Sequence, residues 1–188
     1  MKILAQISET RIKNLIRLLS EKTKLTTDVS NYANGRKRSW LQYEAPLSTT
    51  MPWRKANQDG ELWEEILAIG KEISFIPELG LTSLGGTIKP HRDASYADYK
   101  AIGINLGSTT FGYEKSYPEY RWSPQKDLVN PTEVSETDLV GGEVYEFNCK
   151  NLHWTSNVSP DRWAINLWQV SNKQRSEYET FKEIHNGN

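Results

Sequence analysis

His91 and Asp93 stand one residue apart in the stretch GGTIKPHRDASYADYK, and their types and spacing suggest chemistry. Where a chain is extended, alternate side chains project to one side. Pro90 favours that conformation, since it holds its own φ and biases Lys89 towards the extended region. An imidazole and a carboxylate projecting together can occupy two neighbouring positions on a divalent metal ion. Alone, the pair reads as readily as a polar turn in which Asp93 caps the backbone around Ala94 and Ser95. His153 shifts that balance. It lies in NLHWTSNVSPDRWAINLWQV, which reads as a hairpin turning in SNVSP. Pairing Ser156 with Ser159 sets His153 opposite Arg162, on the same sheet face. That face continues through Ala164, Asn166 and Trp168. Trp163, Ile165 and Leu167 form the other, an apolar set suited to packing under a helix. The sequence thus offers His91, Asp93 and His153 to a metal. The Arg162 guanidinium stands one strand away, and Trp168 lines the substrate side of the same cavity.

Two histidines and one carboxylate on one face of a metal leave other positions open, the arrangement associated with non-haem Fe(II) oxygenases. A 2-oxo acid fills two of them through its keto oxygen and adjacent carboxylate. A dicarboxylic one has a far carboxylate that needs a planar, permanently charged partner, which arginine supplies. The wording IKPHRD…IGINLG followed by HWTSNVSPDRWAINLW resembles the Fe(II)/2-oxoglutarate-dependent dioxygenases, in particular their aspartyl/asparaginyl β-hydroxylase-like and proline-hydroxylase-like branch. The resemblance runs in two blocks from Gly85 to Val170. It implies a double-stranded β-helix, Fe(II) bound by His91, Asp93 and His153, and 2-oxoglutarate held by Arg162 with a polar contact from Asn105. It also implies O2 as the oxidant and hydroxylation of an amino acid, a peptide or a protein side chain, with release of succinate and CO2. Two features depart from the pattern. The strand after H-R-D presents Ala101, Gly103 and Asn105 where several members of the branch have a basic residue, and Ala164 replaces a hydroxyl residue common in the wider superfamily. Other readings are a metal-binding cupin-like protein with non-oxidative activity and a metal-free binding module. Arg162 argues against the first, and the second leaves the His, Asp, His set without a purpose.

These residues need a frame. Short runs rich in β-branched and aromatic residues fill the middle of the chain: LTSLGGTIKPH, YKAIGINLG, TTFGY, GEVYEFN, LHWTSN and RWAINLWQVS, with an earlier one around RKRSWLQYE. Helical spacing marks the ends. Ser8 caps Ile12, Leu15, Ile16 and Leu19; Leu62, Trp63, Ile66, Leu67 and Ile73 precede Pro77; Tyr178, Phe181 and Ile184 follow Asn172. The pattern predicts a mainly β protein with flanking helices, a jelly roll of cupin-like kind. It is read as one domain over residues 1–188, helical over 1–76, with a barrel core near 80–171. The polar segment Glu114–Asp138 reads as a lid, with Tyr113, Tyr117, Tyr120 and Trp122 as its aromatic residues.

Composition narrows the function classes. Of 188 residues, 37% are hydrophobic and 25% charged, which describes a globular chain. Twenty-three basic residues against 24 acidic ones give a net charge of −1, so neither nucleic acid nor an anionic membrane is expected as a partner. The basic runs Arg11–Lys24 and Arg36-Lys37-Arg38 read as a solvated helix face and a turn. Cys149 is the one cysteine, expected to be buried and inert, and it fits a reducing compartment. The opening MKILAQISETR reads as the start of an amphipathic helix rather than a signal peptide, and the expected location is the cytoplasm. His185 falls in the polar tail and reads as a bystander. The sequence leaves oligomeric state open.

Overall fold

Ser8 acts as its place before an apolar-periodic run predicts: its hydroxyl accepts from the Arg11 N–H and opens the first helix. In the protein, a computed structural model that describes residues 1–47, 51–115 and 133–186, a strand β1 (Lys2–Gln6) comes first and α1 (Glu9–Lys22) follows. Next come β2 (Thr26–Thr27), β3 (Ala33–Asn34), β4 (Lys37–Leu41), β5 (Tyr43–Glu44), β6 (Arg54–Lys55) and α2 (Gly60–Glu72). The central run is β7 (Leu79–Leu84), β8 (Thr87–His91), β9 (Ala97–Leu106), β10 (Thr109–Glu114), β11 (Val134–Leu139), β12 (Glu143–Asn148), β13 (His153–Ser156) and β14 (Trp163–Val170). The helix α3 (Arg175–Asn186) closes the series.

The strands form two main sheets. One has the order β1-β12-β9-β14-β7-β4-β2 and the other β11-β10-β13-β8-β3. From β7 to β14 the chain passes back and forth between them, and the eight strands make a double-stranded β-helix. The alternation expected for RWAINLWQVS sorts its side chains as the sequence predicts. Trp163, Ile165 and Leu167 join Ile102, Ile104 and Val144 on the outer face of the larger sheet. Leu15, Leu18 and Leu19 of α1 and Leu62, Ile66 and Ile69 of α2 cover that face. Between the sheets lie Trp40, Leu81, Phe111, Tyr145, Phe147 and Trp168. Tyr178 of α3 packs edge-on to Tyr43 and against Trp53. Among the described residues no helix is long and apolar enough to cross a membrane.

Several local expectations change. LTSLGGTIKPH is two strands, because Gly85 and Gly86 both have positive φ and turn the chain from one sheet to the other. A Cβ on Gly86 would lie 2.3 Å from the Arg36 backbone nitrogen, so the corner also needs the missing side chain. The expected β13–β14 hairpin does not form. Those strands belong to different sheets, and the link between them is tied elsewhere: Ser159 N donates to Ser108 O (3.1 Å) and Gly85 N to Arg162 O (2.9 Å). Residues 1–76, expected to be helical, hold two helices and six strands, and β1 occupies part of the expected amphipathic helix. The segment Glu114–Asp138 is shorter as a connection than its sequence suggests. Glu114 and Val134 are paired, and the ladder runs back to Thr109 and Leu139. Tyr117, Tyr120 and Trp122 lie outside the described residues, whereas Tyr113 is a half-buried member of β10. In α3, Tyr178 is buried but Ile184 is exposed, so the expected apolar face stops short.

Candidate metal centre

His91 ends β8 and His153 begins β13, and the two are register partners across neighbouring strands. Asp93 follows β8, its N–H donating to the Cys149 carbonyl at 2.8 Å. The three side chains therefore meet although their two blocks are far apart in sequence. His91 Nε2 and His153 Nε2 each lie 3.7 Å from Asp93 Oδ1. One ligand atom from each residue falls within a 4.8 Å group.

Each of these three side chains is oriented from behind. His91 Nδ1 is 3.0 Å from the Lys89 carbonyl and His153 Nδ1 is 3.0 Å from the Asn151 carbonyl. A carbonyl only accepts, so each Nδ1 carries the proton and each Nε2 is left as a lone-pair donor to a metal. Trp168 Nε1 donates to Asp93 Oδ2 at 2.9 Å, which leaves Oδ1 facing both imidazoles. Burial first, then the neighbouring His153, holds His91 down at about 4, so its ring is neutral near pH 7. Burial pushes Asp93 up, but His153, His91 and Lys150 override it and hold the carboxyl at about 2. Two imidazole Nε2 atoms and an ionised carboxylate suit a divalent transition metal, and the residues fit an Fe(II) site of the facial kind.

The ligands open into a cavity of about 300 Å³ between the sheets, which Arg162, Ala164, Asn166 and Trp168 also line. Arg162 is only 5% exposed. Its Nε donates to Asn105 Oδ1 at 2.6 Å, and its guanidinium contacts the Tyr145 hydroxyl. Burial lowers its pKa and Arg36 adds to that, while Tyr145 resists. Among the described residues no carboxylate pairs with it. A buried guanidinium with only neutral partners is costly unless an anion joins it.

The fold has known counterparts. A Pseudomonas putida prolyl-4-hydroxylase superposes with a TM-score of 0.54 at 12% identity, covering 89% of this chain and 92% of its own. HygX from Streptomyces hygroscopicus, with nickel and 2-oxoglutarate bound, gives 0.53 at 10% identity over 86% and 79%. An oxidoreductase of the 2OG-Fe(II) oxygenase family from Burkholderia pseudomallei gives 0.52 at 10% identity over 89% and 95%. What they share with this chain is the fold. No protein-family model and no curated protein matches the sequence.

The structure brings His91, Asp93, His153, Arg162 and Trp168 around one cavity, though Arg162 arrives from the opposite sheet to His153 rather than from a shared hairpin. Asn105, expected to contact the cosubstrate, stands beside Arg162 and outside the cavity lining. It is fully buried, and its amide is consumed by Arg162 and by the Gly107 and Val140 carbonyls at 2.6 and 2.8 Å. It therefore positions the guanidinium from behind. Tyr145 went unnoticed in sequence, because only its alternation in GEVYEFN marks it. It lines the cavity where Gly103, its register partner, leaves room. Arg36 and Arg38, read as a solvated turn, also line the cavity, and Arg36 is buried. Cys149 is buried, donates to the Asp98 carbonyl at 2.9 Å, and has a thiol pushed well up by burial, which leaves it unreactive. His185 is exposed on α3 and stacked on Phe181.

Proposed function

We propose that this chain is an Fe(II)- and 2-oxoglutarate-dependent dioxygenase that hydroxylates an amino acid, a peptide or a protein side chain, with release of succinate and CO2. The observation that carries the reading is a His-Asp-His ligand set sharing one cavity with a buried, carboxylate-free arginine. His91, Asp93 and His153 would hold the iron. Arg162 would grip the distal carboxylate of 2-oxoglutarate through its planar fork, with the Tyr145 hydroxyl as a second donor. Asn105 keeps that fork in one orientation, so little side-chain freedom is lost on binding. Trp168 keeps Asp93 in one rotamer, and Phe111, Phe147 and Tyr96 make a dry wall. Iron, 2-oxoglutarate and O2 together supply the oxidising power when bound. HygX, which binds nickel and 2-oxoglutarate, lends the reading support through its shared fold. The aspartyl/asparaginyl β-hydroxylase-like and proline-hydroxylase-like branch remains the proposed affiliation, on its two sequence blocks. A reducing, cytoplasmic setting suits the single buried thiol.

The test is Fe(II)-dependent, O2-dependent conversion of 2-oxoglutarate to succinate by purified protein, over a panel of amino acids and peptides. His91→Ala, Asp93→Ala and His153→Ala should each abolish it while leaving the circular dichroism spectrum unchanged. Wild-type rates in any of the three remove that residue from the site.

A further inference from the structure

The cavity wall formed by residues 28–47 carries two arginines of its own, Arg36 and Arg38. Arg36-Lys37-Arg38 alternates at the start of β4, so Lys37 faces solvent while Arg36 and Arg38 face the cavity. Asp28 organises both. Its side chain is fully buried; Arg36 donates to it from Nε at 2.8 Å and from Nη2, and Arg38 Nε stands 3.5 Å away. Arg36 is thereby committed. Arg38 is not: among the described residues its terminal nitrogens have no partner, and its side chain is 20% exposed.

Charge points the same way. The described lining contains four arginines, Arg36, Arg38, Arg92 and Arg162, and one carboxylate, Asp93. Behind the lining, Asp28 meets Arg36, and Glu114 meets Arg92 at 3.0 Å. A divalent metal and doubly charged 2-oxoglutarate cancel each other. Asp93, Asp28 and Glu114 then stand against four guanidinium groups, and among the described residues one positive charge is left without a counterion. Geometry makes it Arg38. Next along the same face of β4 is Trp40, whose indole N–H is buried without a partner among the described residues. Trp40 lies 6.1 Å from Trp168, the residue bonded to Asp93, so these side chains lead from Arg38 towards the metal ligands. Tyr32 lies against His91 at 5.5 Å on the same side.

We propose that the molecule oxidised is a small carboxylic acid, its carboxylate seated on Arg38 and its body lying along Trp40 and Tyr32 towards the metal. The oxidation rests on the dioxygenase reading; the binding does not. A neutral side chain within a protein would bring only main-chain amides to this wall, and would leave the charge unmet.

The test pairs acids with their primary carboxamides: free L-amino acids and simple aliphatic and aromatic monocarboxylic acids. Calorimetric titration into nickel-loaded protein is run without O2, with and without 2-oxoglutarate. In wild type at least one acid should bind about 30-fold or more tighter than its amide, the loss expected when a charged hydrogen bond loses its partner. Arg38→Gln should erase that preference and Arg38→Lys should keep part of it, with 2-oxoglutarate affinity held within about twofold in both. Equal binding of acid and amide in wild type overturns the proposal, as does a preference that survives Arg38→Gln, or a panel in which no acid binds. An acid preference lost in Arg38→Gln, in a protein that binds no 2-oxoglutarate, upholds Arg38 and sinks the dioxygenase reading instead.

Discussion

At the scale of single residues, the contact from Trp168 to Asp93 fixes which carboxylate oxygen faces the two histidines. With the indole N–H on Oδ2, the carboxylate presents Oδ1 to the point both imidazoles face. Trp168→Phe keeps the ring's bulk and removes that donor. It should lower metal affinity by about 10- to 100-fold, the usual cost of losing a group that orients a ligand. Competition against a coloured chelator measures this, and an unchanged affinity would show that packing alone orients Asp93. His91 gives a pH dependence. Its folded pKa, about 4, lies below the ordinary 6.5, so the unfolded chain takes up a proton that the folded one refuses. Acid therefore favours unfolding of the metal-free protein from pH 6.5 down to about 4, by up to about 3 kcal/mol. Below that, Asp93 adds a further loss as pH falls from 3.8 through about 2. Denaturant midpoints of chelator-treated protein across this range check the sign; a flat profile contradicts it. The convergence of His91, Asp93 and His153 was legible in sequence because histidine is scarce in this chain and each block carries a recognisable strand context. Arg36 and Arg38 were not, because alternation alone cannot say which face of a short charged strand turns inward. The partner that decides it, Asp28, lies outside the run.

At the scale of elements, β9 and β12 form the floor beneath Arg162. Gly103 and Tyr145 are register partners, and a Cβ on Gly103 would fall 2.2 Å from Tyr145 Cζ. Gly103→Ala should thus push Tyr145 off Arg162 and weaken 2-oxoglutarate binding while leaving metal affinity alone. It should also destabilise the fold by about 1–3 kcal/mol, as overpacking does. Parallel titrations of metal and 2-oxoglutarate separate these effects, and unaltered 2-oxoglutarate affinity would show that Tyr145 plays no part there. On the other side of the sheet, Ile66→Ala empties a fully buried place under α2. It should cost about 2–5 kcal/mol of stability with little change in ligand affinity. Helices α1 and α2 were readable from period and caps, since both signals are local. The relation of β13 to β14 was not. A short polar stretch between two strands reads as a hairpin turn, and only contacts with distant Ser108 and Gly85 show that it crosses between sheets. The faces of β14 were still assigned correctly, because alternation within a strand is indifferent to what the strand pairs with.

At the scale of the molecule, two sheets hold the halves of one site. The larger sheet carries Trp168, with Arg162 just ahead of β14, and the smaller carries His91 and His153, so a ligand bound between them ties the layers together. Binding to the folded state alone should then raise stability by about 2.7 kcal/mol at a hundred times Kd, or about 5–10 °C in melting temperature for a chain of this size. Thermal melts with metal, with 2-oxoglutarate and with both should show the largest shift for the pair; no shift in any of them would deny the site to both. The jelly roll was foreseeable from many short strands between helices, but the order of strands in each sheet was not, since it depends on long-range pairing. The proposed chemistry requires Arg162 to hold 2-oxoglutarate beside a metal it does not touch. The direct measurement is a titration of 2-oxoglutarate into Fe(II)-loaded protein without O2, followed by visible absorption, for wild type, Arg162→Lys and Arg162→Ala. Wild type should develop the band of an iron-chelated 2-oxo acid, with affinity about 30-fold or more weaker in Arg162→Ala, partly restored in Arg162→Lys, and iron affinity equal in all three. No band in wild type, or equal 2-oxoglutarate affinity across the three proteins, would contradict it.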